Sequence, residues 1–373
     1  MIRVPEFEKQ FAEYYNVRDA VVVNSPYSAN LLMMAMLEYK YLVNGTDKRY
    51  FKGDIVVPSI CQPHTFLPIH QMGFRLNIVD VDVTTLNIDP YQLMEYVTPH
   101  TRAIVVTNTL GVTADTYRIR QVAKENDIML VEDVTTAFGA IADSDEYCGT
   151  IGQFGTFEIA GMGVITCRTQ DDANWLRSLR NTGLTKDWAP DDKWYKNGKG
   201  EKKWLRSGQP IKDDNVVLTP GFGVSVDRQQ ADTGLKYLKN WPRRKEQMVN
   251  NADYFKTVMK GLNGFKFQRE KGYPVYNGFS MICQNEMKGR RTQVIQAISK
   301  IKNVVVKPIY SNILEQPVLE FINHISNGIY YNAKQVHEEG FYIENPEYDF
   351  EEKIDKIFDE LQNLEKDIIR SGY

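Results

Sequence analysis

From Asp19 to Asp133 the chain passes repeatedly from a short β-branched run to a helical pattern, and this alternation restricts the fold more than any other feature. Residues 20–24 lead into a helical pattern over 28–39, and further runs stand at 55–58, 76–81, 102–107 and 128–132, with a helix expected at 116–126. Short apolar strands separated by helices predict a largely parallel sheet covered on both faces. Ligands of such sheets sit beyond the carboxyl ends of the strands.

A chain of 373 residues that is 42% hydrophobic is long enough for two or three domains. We expect a large unit over 1–240 and a smaller C-terminal α/β unit over 241–373. Helical periodicity over 228–262 bridges them, and Trp241-Pro242 reads as a bend or restart within it. A strand at 304–307 and a polar-faced helix at 350–369 complete the pattern. A net charge of -3 gives no overall electrostatic footprint for nucleic acid or an anionic membrane. No run reaches membrane-spanning length, and residues 1–10 carry charges and a proline where a signal peptide would be basic and then apolar, so a cytoplasmic location is expected. The four cysteines, Cys61, Cys148, Cys167 and Cys283, lack paired spacing and read as reduced packing residues.

One segment breaks the alternation. Over 186–215 Trp188, Trp194, Tyr195 and Trp204 are interleaved with lysines, which reads as a long inserted loop. Cations between aromatics over 186–212 suit a polyanion such as single-stranded nucleic acid. Asp187, Asp191, Asp192 and Glu201 count against that, and a solvated loop closing over a pocket is the plainer reading.

The run Asn24-Ser25-Pro26-Tyr27-Ser28-Ala29-Asn30-Leu31-Leu32 resembles the first cofactor loop of the sugar-nucleotide aminotransferase family (DegT/DnrJ/EryC1/StrS type), nearest its sugar 3-dehydratase branch. Further matches follow in order: Gly53-Asp54-Ile55-Val56-Val57-Pro58, Val79-Asp80-Val81-Asp82, Thr109-Leu110-Gly111, Glu132-Asp133 with Gly139, Gly149-Thr150-Ile151-Gly152, Pro220-Gly221-Phe222-Gly223 and Asn312-Ile313-Leu314-Glu315-Gln316-Pro317. The resemblance covers nearly the whole chain. It implies a fold-type-I dimer: a large domain with a mostly parallel seven-stranded sheet between helices, a smaller C-terminal domain, and active sites at the subunit interface. It also implies pyridoxal or pyridoxamine phosphate held at the strand ends.

Such a cofactor needs a protonated ring nitrogen, a phosphate grip, a stacking residue and a base. Asp133 matches the ring-nitrogen partner, although a carboxylate after a strand serves equally well as a helix cap. The other positions are altered. Ser25, Ser28, Gln62, Thr136 and Glu158 mark them: Pro26 has no N–H to donate to a phosphate, Glu158 stands where a phosphate-binding hydroxyl is usual, and Gln62 replaces the stacking aromatic. The family's Schiff-base lysine, or the histidine of its dehydratases, falls in a loop for which Thr156-Phe157-Glu158-Ile159-Ala160-Gly161-Met162-Gly163 offers no counterpart. His64 is a candidate base near neutral pH, with a capping or surface role as the plainer alternative. Lys307, Asn312 and Gln316 match the small-domain sugar-nucleotide loop, or form an ordinary turn with a solvated lysine.

These residues lead us to expect a degenerate homologue that holds no cofactor, keeps a nucleotide-sugar pocket, and pairs with itself or with an active relative as a homodimer or heterodimer. An active aminotransferase or dehydratase, with pyridoxal phosphate and an unrecognised base, is the alternative.

Overall fold

A computed structural model describes residues 3–41, 52–183, 217 and 219–371, so the Trp- and Lys-rich segment at 186–215 lies outside the described residues. The strands are β1 (Asp19–Val23), β2 (Asp54–Pro58), β3 (Arg75–Val79), β4 (Thr101–Thr107), β5 (Met129–Asp133), β6 (Phe154–Ile159) and β7 (Met162–Cys167), then β8 (Phe265–Phe267), β9 (Gly278–Cys283), β10 (Val306–Pro308), β11 (His324–Ile325) and β12 (Gly340–Glu344). The α-helices are α1 (Arg3–Tyr15), α2 (Pro26–Met36), α3 (Pro63–Gln71), α4 (Leu93–Tyr96), α5 (Thr116–Glu125), α6 (Gln170–Arg180), α7 (Arg228–Met259), α8 (Arg291–Ile298), α9 (Tyr331–Glu339) and α10 (Glu351–Ser371).

The main sheet has the order β1-β7-β6-β5-β4-β2-β3-β11. Every neighbouring pair is parallel except those made by β7, which runs against both β1 and β6. Seven strands come from residues 19–167, the number the resemblance implies; the eighth, β11, is contributed by the later chain and pairs with β3. Side chains of β1 show why the sheet needs two covering layers. Ala20 and Val22 enter a core with Phe7, Phe11, Phe157 and Trp241, while Val21 and Val23 enter another with Leu32, Phe66 and Trp175. That two-residue alternation buries both faces under helices.

The helix does not restart at Trp241-Pro242, and α7 runs unbroken through it for 32 residues. Pro242 removes one backbone bond, yet Trp241, only 2% exposed, packs edge-on against Phe138 at 4.7 Å and stacks with Tyr237 at 5.7 Å. Tertiary packing here outweighs the local cost of proline. Past this point α7 leaves the first core and enters another, where Ala252, Phe255 and Met259 meet the antiparallel sheet β10-β12-β9-β8 and α10.

Candidate functional site

The carboxyl ends of β4, β5 and β6 converge with the start of α2 and the loop before α3. Asp133 ends β5 and is 3% exposed. Its Oδ2 accepts from Thr65 Oγ1 at 2.6 Å and Asn30 Nδ2 at 3.1 Å, and its Oδ1 accepts from Thr135 Oγ1 at 2.6 Å and the Thr135 N–H at 3.1 Å. Four donors fill the usual capacity of a carboxylate. Asn30 is fixed from the other side as well: its Oδ1 accepts from Thr156 Oγ1 at 2.7 Å, and its amide donates to the His64 carbonyl at 3.0 Å.

His64 lies in the first turn of α3 with its ring turned inward. Nε2 stands 3.0 Å from Thr135 Oγ1 and 3.6 Å from Asp133 Oδ2. Because Thr135 Oγ1 gives its proton to Asp133, this contact is satisfied when the ring carries hydrogen on Nε2. Glu158 stands on β6 within electrostatic reach of both. Burial raises its carboxyl above the ordinary range; His64 opposes that shift and Asp133 adds to it. Close beside it, Cys61, Gln62, Thr65, Asp133, Thr136 and Tyr310 line a hole of about 10 Å³.

The start of α2 is closed on itself. Ser25 caps the helix, its Oγ accepting the Ser28 N–H at 3.1 Å and lying 2.9 Å from Ser28 Oγ, while Ser28 Oγ donates to Asn24 Oδ1 at 2.7 Å. Pro26 suits the first helical position because its missing N–H would have no intrahelical partner there. Against this turn packs the β6–β7 hairpin, whose strands are joined by Ala160 and Gly161 alone, at φ 50° and 78°. Both left-handed residues suit a two-residue hairpin turn. Glu158 pairs across the hairpin with Gly163, where a side chain would meet the Ser25 carbonyl at 2.2 Å. Residues 154–167 contain neither lysine nor histidine.

The residues expected in the small-domain loop fall in different settings. Asn312 is buried, bridges to Ile60, and accepts the Leu314 N–H at 3.1 Å. Gln316 is half-buried at the end of that turn. Lys307 sits on exposed β10 with Glu344 Oε1 at 2.5 Å, and this partner raises its pKa.

The structure thus gathers Gln62, His64, Asp133, Thr136 and Glu158 at the strand ends, with Ser25 and Ser28 alongside. Lys307 takes no part in the hole. Sequence reasoning missed Asn30, Thr65, Thr135 and Tyr310. A polar Asn30 within the apolar run Ala29–Met36 was a readable signal for a buried contact. Tyr310 gave none, because only chain folding brings it next to Gln62.

The sequence profile of the DegT/DnrJ/EryC1/StrS aminotransferase family matches residues 2–362. GDP-4-keto-6-deoxy-D-mannose 3-dehydratase of Yersinia pseudotuberculosis is 29% identical over 371 residues, 96% of this chain and 90% of the relative. The enzyme of the same name from Escherichia coli O55:H7 is also 29% identical, over 96% of this chain and 92% of its own. A crystal structure of GDP-4-keto-6-deoxymannose-3-dehydratase with bound GDP-perosamine superposes with a TM-score of 0.86 at 28% identity, covering 97% of this chain and 92% of that one. An E. coli structure of that enzyme with bound hydrated PLP gives 0.86 at 27%, covering 96% and 91%. With a profile match over almost its full length and a fold shared end to end, the chain belongs to the DegT/DnrJ/EryC1/StrS aminotransferase family.

Proposed function

We propose that this family member is a degenerate sugar-nucleotide aminotransferase or 3-dehydratase homologue that runs no pyridoxal chemistry and acts by binding a nucleotide sugar, an active partner subunit, or both. The observation that carries the reading is the β6–β7 turn. With only Ala160 and Gly161 between the strands, no chain is left there to present an amine or imidazole to a cofactor. The donor set agrees. Asp133 already holds four hydrogen bonds, and the hole beside it has room for about one water, against the several hundred Å³ typical of cofactor sites. Glu158 would face a phosphate with like charge, and the serine hydroxyls at the α2 start are engaged with each other. On these grounds the residues present do not fit pyridoxal phosphate.

A nucleotide-sugar ligand is supported by the relatives, which act on or bind GDP-linked hexoses, and by the Asn312–Gln316 turn lying against the strand ends through Ile60 and Ser59. A dimer, with this chain or with an active relative, would bring segment 219–230 to a partner's site. Added pyridoxal phosphate is expected to give no long-wavelength band that survives desalting, and borohydride no fixed adduct. A stoichiometric reduced adduct on a lysine of this chain would reject the reading.

His64 supports a second reading. An imidazole positioned by Thr135 and Asp133 and facing Glu158 has the geometry of a proton carrier, and an active 3-dehydratase would use it as base. Turnover of GDP-4-keto-6-deoxymannose that requires pyridoxamine phosphate and disappears in His64→Asn would establish this reading and displace the first. The polyanion reading rests on residues 186–212, outside the described ones.

A further inference from the structure

Tyr310 enters the strand-end site from the far side of the chain. Just before it, buried Ile309 donates its N–H to the Gly340 carbonyl at 3.1 Å. Two residues after it, Asn312 bridges to Ile60, and the Ile313 N–H donates to the Ser59 carbonyl at 2.8 Å. Held on both sides, Tyr310 packs its ring 6.2 Å from that of Tyr342 and lines the hole shared with Gln62, Thr65, Asp133 and Thr136. Burial pushes its hydroxyl well up, Tyr342 and Asp133 add to the shift, and the nearby Gln62 and Thr136 side chains oppose it.

We infer that Tyr310 is the resident ring of the strand-end site: a side chain from the C-terminal unit occupies the flat subsite above Asp133 that a planar heterocycle would otherwise take. This rests on the cofactor-free reading and gives it a physical cause. Tyr310 is half-buried, and the hollow it lines keeps only about 10 Å³ of free space. The hydroxyl lies near two polar side chains of the wall, Gln62 and Thr136. Two consequences follow. A planar ring can enter only by displacing Tyr310, and removal of Tyr310 should leave a ring-shaped site with Asp133 at its edge.

Tyr310→Gly tests this. Phenol matches the ring and hydroxyl of the side chain so removed, and the hole it would enter is walled by Gln62, Thr65, Asp133 and Thr136. In the folded variant, phenol should therefore bind about tenfold or more tighter than in the parent, read by calorimetry and by recovery of the lost melting temperature. A second probe, 3-hydroxypyridine, should compete with phenol for the same hole in the variant. A folded Tyr310→Gly that takes up neither probe overturns the inference. A measurement on the intact protein covers failure to fold: 3-fluorotyrosine placed at 310 should show a solvent isotope shift in its fluorine resonance well below that of exposed Tyr331 labelled the same way, and an equal shift overturns the inference. Uptake of pyridoxal phosphate with this resonance displaced would reject both readings. Uptake with it unmoved would reject the cofactor-free reading alone and support the place assigned to Tyr310.

Discussion

Glu132 and Asp133 are chain neighbours at the end of β5, yet the regions they face are built on different principles. Glu132 points toward the loop 149–152, where Oε2 accepts the Gly149 N–H at 2.8 Å and Oε1 accepts those of Ile151 at 2.8 Å and Gly152 at 2.7 Å. Main chain holds it. Asp133 points the other way, into a ring of side chains in which Thr65, Thr135 and Asn30 supply three of the four donors. The difference is one of adaptability: a backbone N–H cannot reverse its polarity, whereas a hydroxyl can turn from donor to acceptor. The Glu132 region therefore reads as architecture, and the Asp133 region as a site whose partners can be exchanged without refolding the loop.

The comparison should break most visibly at Glu132. Glu132→Gln sets an amide NH₂ against backbone N–H groups in either orientation, and a loss of about 3 kcal/mol in urea unfolding is expected. A loss below about 1 kcal/mol would mean that the loop adapts as freely as a side chain. Asp133→Asn should cost less, about 1–2 kcal/mol, because Thr65 or Thr135 can reorient its hydroxyl to accept from the new NH₂. If it costs as much as Glu132→Gln, the contrast between the regions fails.

Glu158 gives the smallest effect and a pH signature. Burial raises its carboxyl above the ordinary 4.5, so the folded state favours the protonated form. The stability this contributes is present below about pH 4.5 and is lost as pH rises through the folded value. Because Glu158 is exposed on its strand, water screens this shift, and Glu158→Gln should match the parent in acid and melt higher by no more than about 1 °C at neutral pH, with the gap opening between those limits. A gap that opens in the opposite direction would mean that His64 dominates the electrostatics of Glu158.

Much of this was legible beforehand, for local reasons. Residues 20–23 are apolar throughout and three of the four are valine, so a strand buried on both faces is almost the only structure they support. Asp133 could be singled out because it ends such a strand, and the shortness of the β6–β7 connection could be counted directly. The unbroken course of α7 was not legible, since Pro242 is a local signal whereas the packing of Trp241 on Phe138 and Tyr237 is not. Nor was the closed ring around Asp133, whose donors Asn30 and Thr65 lie 103 and 68 residues away along the chain.

By itself the sequence determined the alternating α/β layers, the family, and the absence of lysine and histidine from residues 154–167, because periodicity, ordered motifs and residue identity are properties of the linear chain. Tertiary structure alone decided what fills the site. Tyr310 meets Gln62 and Thr136 only because backbone bonds to Gly340 and Ser59 fix the chain on either side of it, and side chains so far apart in sequence share one hole for no local reason.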